Sequence, residues 1–297
     1  MRLGLGHGLD TSFNVPLLGN NFLLDTFSGA AAAYSLRKLS ASTTNVVRVR
    51  RSSDDAEADF TATEVTDGTL TTWTGANDGH VVTWYDQSEN TGRDATQATA
   101  AAQPKIVSAG TLILKNGKPS IEFDASDDFL IGPSTLINIS NAWTIISVAN
   151  ENALGGNNGA YNISTNATYG ITKFHNSGAG YTPFTIVVNN VSTSKFRPTG
   201  SISRSTNQQL VFDLFDGVSA TSFGSYAFAI NGNLSAAVDA GNVSSLNSNE
   251  FRIGRAGGTF TGDHFDGNYQ ELIIYQADKS DNRAAIETAI NSHYNIY

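Results

Sequence analysis

The chain has 297 residues, of which 40% are hydrophobic and only 15% are charged, with 28 glycines. This length and composition allow one large all-β domain or two smaller ones, and they disfavour a long helical bundle. The net charge of -9 and the sequence pI near 4.9 argue against nucleic acid and anionic membranes as partners, because both are bound by excess lysine and arginine.

The N-terminal segment differs from the rest of the chain. LGLGHG (3–8) is rich in glycine, and FNVPLLGNNFLL (13–24) is apolar without a clear period. We interpret residues 1–24 as an arm that anchors the protein to a particle; a first edge strand of the same domain is the alternative. The segment lacks the continuous apolar stretch of an export signal, and no later run approaches the ~20 apolar residues that span a bilayer. The sequence therefore predicts neither a signal peptide nor a membrane span.

Residues 25–297 are predicted to form one domain. Its first element is a short helix around the alanine run of DTFSGAAAAYSLRKL (25–39), since alanine favours helices. Short β-rich segments bounded by turn residues follow. They are 46–51, 80–85, 104–107, 111–115, 119–123, 143–149, 184–190, 209–215, 225–230, 250–254 and 269–275. Such a series is typical of an antiparallel β-sandwich.

Local signals add detail to this sandwich. Asn116-Gly117 and Asn231-Gly232 each predict a two-residue hairpin turn. A C-terminal helix is predicted after Ser280 or Asp281, with Ile286, Ala289, Ile290 and His293 on one face. We expect this helix to pack on a sheet or to cover its edge.

One motif, WYDQSENTGRDATQ (84–97), joins a strand end to a polar turn. Loops held by rigid strands often carry binding groups. The ligand-binding residues predicted here are Trp84, Tyr85, Asp86, Gln87 and Asp94. The alternative is that Asp86 and Asp94 only hold the turn, as aspartates in turns often do.

The segments AAAYSLRKL, VRVRRSSDDAEADF, VVTWYDQSENTGRDATQAT, QPKIV and NGKPSIEF follow one another over residues 31–123. In this order they resemble the catalytic domain of the α-L-arabinofuranosidase B family. The later FRIGRAGGTF and YQELIIY resemble the end of a laminin-G-like or concanavalin-like jelly roll. The resemblance implies a concanavalin-like β-sandwich and, in the family's enzymes, retaining hydrolysis by two carboxylates.

Three departures from the family predict that this chemistry is lost. Val188 stands before Asn189 and Asn190, where the family's enzymes carry a nucleophilic glutamate, and Thr259 follows the Gly-Gly pair in place of the acid. Asp263 and Asp266 lie close to that acid position but are shifted. The chain also has no cysteine for the family's vicinal disulfide. We therefore predict no catalytic residues, and we add Asn189, Asn190, Asp263 and Asp266 to the ligand-binding candidates.

Two acidic segments were weighed for other roles. Oxygen ligands suit calcium, which Asp124, Asp127 and Asp128, or Asp263 and Asp266, would supply. No metal site or cofactor is predicted, and calcium is the alternative. In RVRRSSDDAEAD (48–59) the adjacent opposite charges predict ion pairs within one turn.

The resulting prediction is a non-catalytic phage virion protein of the tail, fibre or capsid surface, released by lysis. Its expected partners are other virion proteins through the arm, host-surface glycans, and further copies of the chain in a homo-oligomer. One alternative is an arabinofuranosidase-like hydrolase whose carboxylates come from Glu271, Asp263, Asp266 and Asp213. Another is a purely structural oligomer.

Overall fold

The computed structural model describes residues 22–138, 141–153, 158–164, 170–175, 185–188, 195–196, 205–217, 225–234, 238–239, 250–256 and 264–297. The strands in the first half are β1 Ala30–Ser35, β2 Asn45–Arg51, β3 Glu57–Thr61, β4 Gly79–Trp84, β5 Ala95–Thr96, β6 Lys105–Ser108, β7 Thr111–Leu112, β8 Leu114–Lys115, β9 Lys118–Pro119, β10 Ile121–Asp124 and β11 Leu130–Ile131. Those in the second half are β12 Trp143–Glu151, β13 Asn158–Ser164, β14 Gly170–His175, β15 Thr185–Val188, β16 Lys195–Phe196, β17 Gln209–Phe215, β18 Ser225–Ile230, β19 Asn233–Leu234, β20 Val238–Asp239, β21 Glu250–Ile253 and β22 Asp266–Tyr275.

The helices are short. They are α1 Leu23–Thr26, α2 Ala62–Thr66, α3 Thr69–Thr74 and α4 Arg283–Tyr294, with 3₁₀ turns at Ala100–Ala102 and Ser280–Asn282. Within the described residues, none of these helices has the length and apolar character needed to cross a membrane.

The strands form an antiparallel β-sandwich, which confirms the predicted fold class. Two runs of paired strands diverge from β4, because its first half pairs with β6 and its second half pairs with β5. One layer continues as β6–β10–β22–β12–β17–β18, and β1 pairs with the other half of β22. The other layer continues as β5–β11–β21–β13–β14–β15–β16.

Strand β22 shows how the apolar residues are divided between two cores. Leu272 and Ile274 belong to the core between the layers, whereas Ile273 and Tyr275 face the outer core beneath α4. Successive side chains of a strand point to opposite faces, so a strand buried on both faces reads as a continuous apolar run. This explains why β12, β17 and β22 were recognisable in the sequence.

The C-terminal helix is confirmed, and it packs on the sheet. Ile286, Ala289 and Ile290 lie in the outer core together with Leu23 and Leu24 of α1. Ser280 and Asp281 form a 3₁₀ turn before the helix, whose N-cap residue, Asn282, makes no side-chain capping bond. Because Leu23 and Leu24 are buried on the domain, the last residues of the predicted arm belong to the domain; residues 1–21 lie outside the described part.

The helix predicted around the alanine run is wrong, since Ala30–Ser35 is strand β1. Its residues pair with β22, and Ala32 and Ala33 are completely buried, one in each core. Helix propensity is a weak preference of well under 1 kcal/mol per residue, and strand pairing with burial on both faces outweighs it.

Both predicted hairpin turns are confirmed. Asn116 and Gly117 have φ of 48° and 72°, and Asn231 and Gly232 have φ of 49° and 79°, as a type I′ turn requires. The predicted strand 111–115 is divided, because β7 pairs back with β6 while β8 pairs with β9.

The charged β2–β3 hairpin contains the expected internal ion pairs. Arg48 pairs with Asp59 at 2.7 Å, Arg50 with Asp55 at 2.7 Å, and Arg51 with Asp54 at 2.6 Å. The positive charges of this segment are therefore compensated within the hairpin.

Candidate functional site

The turn after β4 is held to β1 by its aspartates. The Asp86 carboxylate accepts hydrogen bonds from the Ala33 backbone N–H at 2.7 Å and from Ser88 Oγ at 2.6 Å. The Asp94 carboxylate accepts one from the Asp86 backbone N–H at 2.9 Å. These contacts give both aspartates a structural role, because a buried backbone N–H without a partner is costly.

Gln87 is buried, and its amide is fully used by the chain. Its Oε1 accepts from the Leu39 N–H at 2.7 Å and from Thr43 Oγ1 at 3.1 Å. Its Nε2 donates to the carbonyl oxygens of Ser35 and Arg37 at 2.9 and 3.1 Å. The residue thus joins the turn to the connection between β1 and β2.

Trp84 lies in the core. Its ring has no exposed surface and packs on Tyr34 with 5.7 Å between the ring centroids. Burial leaves this ring no face to offer a ligand, so the structure gives Trp84 a packing role. Among the described residues, its indole Nε1 has no hydrogen-bond partner.

Tyr85 is the partly exposed aromatic residue of the motif. Its hydroxyl donates to Asp59 at 2.7 Å, and Asp59 in turn pairs with Arg48. Burial, followed by the hydrogen bond to Asp59, raises the pKa of Tyr85 to about 12. The hydroxyl therefore stays protonated at neutral pH, and the hydrogen bond fixes the ring.

Tyr85 borders a polar pocket of about 290 Å³, which we call the Tyr85 pocket. Its walls are the β1–β2 connection on one side and the motif turn on the other. They consist of Ser42, Thr43, Thr44, Asn45, Tyr85, Asp86, Gln87, Glu89 and Asn90. The sequence analysis identified three of these residues; it missed the other wall, although the polar run SASTTN (40–45) marks it.

Some polar groups of the pocket are free to meet a ligand. The side chains of Thr44 and Asn45 make no hydrogen bond within the described part of the chain. Asn90 donates its amide to Ala30 O at 3.0 Å, which orients the side chain. Ligand binding by Tyr85, Asp86 and Asp94 stays a prediction.

The carboxylates Glu271 and Asp213 are both completely buried. Glu271 accepts two hydrogen bonds from Arg37, at 2.7 and 2.9 Å, and one from Tyr294 at 3.1 Å. Asp213 accepts from the Tyr161 hydroxyl of the facing layer at 3.1 Å. These geometries give Glu271 a role under α4 and Asp213 a role in joining the layers.

The sequence analysis missed Glu151, which is buried on the inner face of β12, the strand that pairs with the strand of Asp213. Asp213 pairs with Ile145, six residues from Glu151, which places the two backbones about 20 Å apart along the strands. Retaining glycosidases hold their carboxyls about 5 Å apart, and inverting ones about 6.5–9.5 Å. Glu151 and Asp213 do not form such a pair.

The remaining family positions are described only in part. Asp266 begins β22 and accepts from Asn152 Nδ2 at 3.0 Å. Val188 ends β15 and pairs with Ile171. The predicted site residues Asn189, Asn190 and Asp263, and also Thr259, lie outside the described residues.

Three further carboxylates meet in the loop after β10. Oxygens of Asp124, Asp127 and Asp128 lie within 4.8 Å of one another. Burial and these two neighbours raise the pKa of Asp128 to about 7. Carboxylate oxygens are ligands that calcium prefers, and calcium binding by this cluster stays a prediction.

The chain matches no protein-family model and no curated protein. Among solved structures it is similar to a GH54 α-L-arabinofuranosidase soaked with a cyclic sulfate inhibitor, with a TM-score of 0.62 and 16% identity over 88% of this chain and 62% of that one. The two chains share the β-sandwich fold. A mutant of a GH54 α-L-arabinofuranosidase soaked with 4-nitrophenyl α-L-arabinofuranoside gives a TM-score of 0.63 at the same identity and coverage.

A Trypanosoma rangeli sialidase aligns over 71% of this chain and 31% of that one, with a TM-score of 0.47 and 12% identity. The chain spans 62% of the length of the arabinofuranosidase structures. At 16% identity, the likeness extends to the fold and not to the activity. The structural likeness and the sequence resemblance of residues 31–123 therefore indicate the same fold.

Proposed function

We propose that this protein binds carbohydrate through the Tyr85 pocket. The pocket carries the proposal, because its volume of about 290 Å³ is lined by one aromatic residue, fixed by its bond to Asp59, and by residues that bear hydroxyl and amide groups. Sugars present apolar C–H faces and many hydroxyls, so a ring and a few convergent polar groups suit them. The β-sandwich fold shared with arabinofuranosidases supports a carbohydrate ligand.

The pocket is also preorganised. Gln87 ties one wall to the other through its bond to Thr43 Oγ1 at 3.1 Å, and Asp86 holds the turn to β1. Walls that are already fixed lose little conformational entropy when a ligand binds. A strongly hydrated ligand such as a sugar depends on this saving, because each exposed hydrogen bond that replaces one to water contributes little by itself.

Glycan-array binding tests the proposal, with the whole chain as the probe. We expect Tyr85→Ala to reduce binding to the recognised glycan at least tenfold, while Tyr85→Phe, which keeps the ring, retains most of it. Tyr297→Ala serves as a control, because Tyr297 is 53% exposed and does not line the pocket. Equal binding by Tyr85→Ala and the unchanged protein, with both folded by circular dichroism, would contradict the assignment.

A second candidate function is arabinofuranoside hydrolysis, which the TM-score of 0.62 over 88% of this chain favours. Release of 4-nitrophenol from 4-nitrophenyl α-L-arabinofuranoside tests it. Asp263→Ala and Asp266→Ala should each abolish release if these carboxylates act, whereas Asp281→Ala, an exposed residue before α4, should not. No release by the unchanged protein at any pH from 4 to 8 would reject this candidate.

The virion setting and the homo-oligomer stay predictions. The similar structures are arabinofuranosidases, which supports a carbohydrate ligand more than a virion role. Capsid or tail genes beside the gene for this chain would support the setting. Deletion of residues 1–21, which keeps the buried Leu23 and Leu24, should leave a folded domain that no longer assembles; an unchanged mass in solution would remove the role of the arm in assembly.

A further inference from the structure

The charges of the Tyr85 pocket are all of one sign. Asp86 and Glu89 line it, and none of its nine residues is a lysine, arginine or histidine. The nearby Arg48 is already used, since two of its nitrogens bond the Asp59 carboxylate at 2.7 and 2.9 Å. The pocket thus offers carboxylates, hydroxyls and amides, without a cation to neutralise an anion.

Glu89 places one of these charges at the edge of the pocket. The residue is exposed, and its carboxylate accepts a hydrogen bond from Ser42 Oγ of the opposite wall at 3.3 Å. Glu89 also has a positive φ of 69°, which lies in the left-handed region of backbone conformation. The turn therefore holds the Glu89 backbone in a conformation that few non-glycine residues adopt. An incoming ligand meets the Glu89 charge at the edge, while Asp86 adds a second carboxylate to the lining, held in the turn by the Ala33 N–H and Ser88 Oγ.

We infer that the Tyr85 pocket accepts uncharged sugar units and rejects acidic ones. This inference rests on the proposed carbohydrate binding and names the class of its ligand. A neutral sugar finds the Tyr85 ring and the free groups of Thr44 and Asn45. A uronate or sulfate group would lose water and face two carboxylates without a compensating cation, and such like-charge contacts are how binding sites exclude a ligand.

Matched polysaccharides test the inference: branched arabinan, whose side-chain units carry free primary hydroxyls, galactan and glucomannan, each native and after oxidation of these hydroxyls to carboxylates. We expect affinity electrophoresis of the whole chain to show binding to at least one native form and at least tenfold weaker binding to its oxidised form. Equal or stronger binding to the oxidised form would overturn the charge selection and leave carbohydrate binding intact. Binding to none of the six forms would overturn both.

A charge-removing variant separates this effect from other consequences of oxidation. Glu89→Gln should narrow the difference between the native and oxidised forms by about fivefold at low salt, because one repelling charge is removed. Asp281→Asn, which removes one charge at an exposed site outside the pocket, should leave the difference unchanged. The difference should also shrink as salt rises towards 0.5 M, since exposed charges are screened. A difference insensitive to both salt and Glu89→Gln would mean that shape, and not charge, rejects the oxidised sugar.

Discussion

Two buried carboxylates of this chain have opposite surroundings. Glu271 is fully buried beneath α4, and two nitrogens of Arg37 bond it at 2.7 and 2.9 Å. Asp128 is 5% exposed, and instead of a cation it has the carboxylates of Asp124 and Asp127 within 4.8 Å. The first carboxylate is paired with a cation, whereas burial and neighbouring like charges oppose the ionisation of the second.

This difference shows that burial alone does not identify a functional acid. Glu271 is a candidate catalytic residue when only the sequence is considered, yet its oxygens are occupied by Arg37, Ser35 and Tyr294. Asp128 keeps a carboxylate whose charge depends on pH near neutrality, because its pKa is raised to about 7. Perturbed acids of this kind occur at functional sites and also in structural clusters.

The largest expected effect comes from breaking the Arg37–Glu271 pair. Arg37→Met leaves Glu271 charged and buried without its partner, which should lower the free energy of unfolding by about 3 kcal/mol. Urea unfolding at pH 7 measures this loss. The double variant Arg37→Met with Glu271→Leu should recover most of it, since apolar residues of similar volume often replace a buried ion pair without loss.

Arg48→Met provides the matched control for that experiment. Arg48 bonds Asp59 with the same two-nitrogen geometry, but its side chain is 41% exposed, against 18% for Arg37. Exposed pairs contribute about 0–1 kcal/mol. Equal losses of unfolding free energy for Arg37→Met and Arg48→Met would mean that the buried pair stabilises the fold no more than the exposed one.

Elements buried on both faces were the most predictable from the sequence. Residues 209–215 and 225–230 were predicted with the bounds that β17 and β18 have, because continuous apolar runs bounded by turn residues mark such strands. The alanine run of β1 was not, because its strand conformation depends on pairing with β22, some 240 positions later in the chain. Two-residue strands such as β5 and β11 exist only through their partners and leave no local pattern.

The part of the candidate site that lies within one short segment was predictable from the sequence, and the part that depends on distant contacts was not. The motif from Trp84 to Gln97 marks one wall of the Tyr85 pocket, and its turn chemistry is readable within a few residues. The other wall, Ser42 to Asn45, reaches the motif through Gln87 and Thr43, a contact that spans 44 positions. Such a contact has no signal in a single sequence.

The stability contribution of Asp128, the carboxylate without a paired cation, should depend on pH. The raised pKa of Asp128 means that the folded chain binds more protons than the unfolded chain between pH 4 and 7, so this contribution to stability is complete below about pH 4 and is lost as pH rises through about 7. At pH 8.5, Asp128→Asn should therefore be more stable than the unchanged protein by about 2 kcal/mol. Thermal unfolding at pH 4 and pH 8.5 measures the difference, which should be close to zero at the lower pH.

Asp127→Asn is the control for Asp128, because Asp127 is exposed and belongs to the same cluster. It removes the same charge, yet it should give less than half of the effect at pH 8.5, since it relieves only part of the repulsion on Asp128. A gain from Asp128→Asn that is the same at both pH values would attribute the effect to packing instead of to ionisation.

The smallest expected effect concerns Asp86, a half-buried carboxylate whose oxygens accept from N–H and O–H donors and which forms no ion pair within the described residues. It accepts from Ala33 N at 2.7 Å, Ser88 N at 3.2 Å and Ser88 Oγ at 2.6 Å. Asp86→Asn keeps one acceptor oxygen but replaces the other with an N–H donor, so the Ser88 hydroxyl loses its acceptor, and the free energy of unfolding should fall by about 1 kcal/mol. Glu89→Gln, an exposed neighbour in the same turn, should change it by less than about 0.5 kcal/mol in the same urea titration. A loss of about 3 kcal/mol for Asp86→Asn would place Asp86 with Glu271, and would mean that backbone donors can stabilise a half-buried carboxylate as strongly as a guanidinium does.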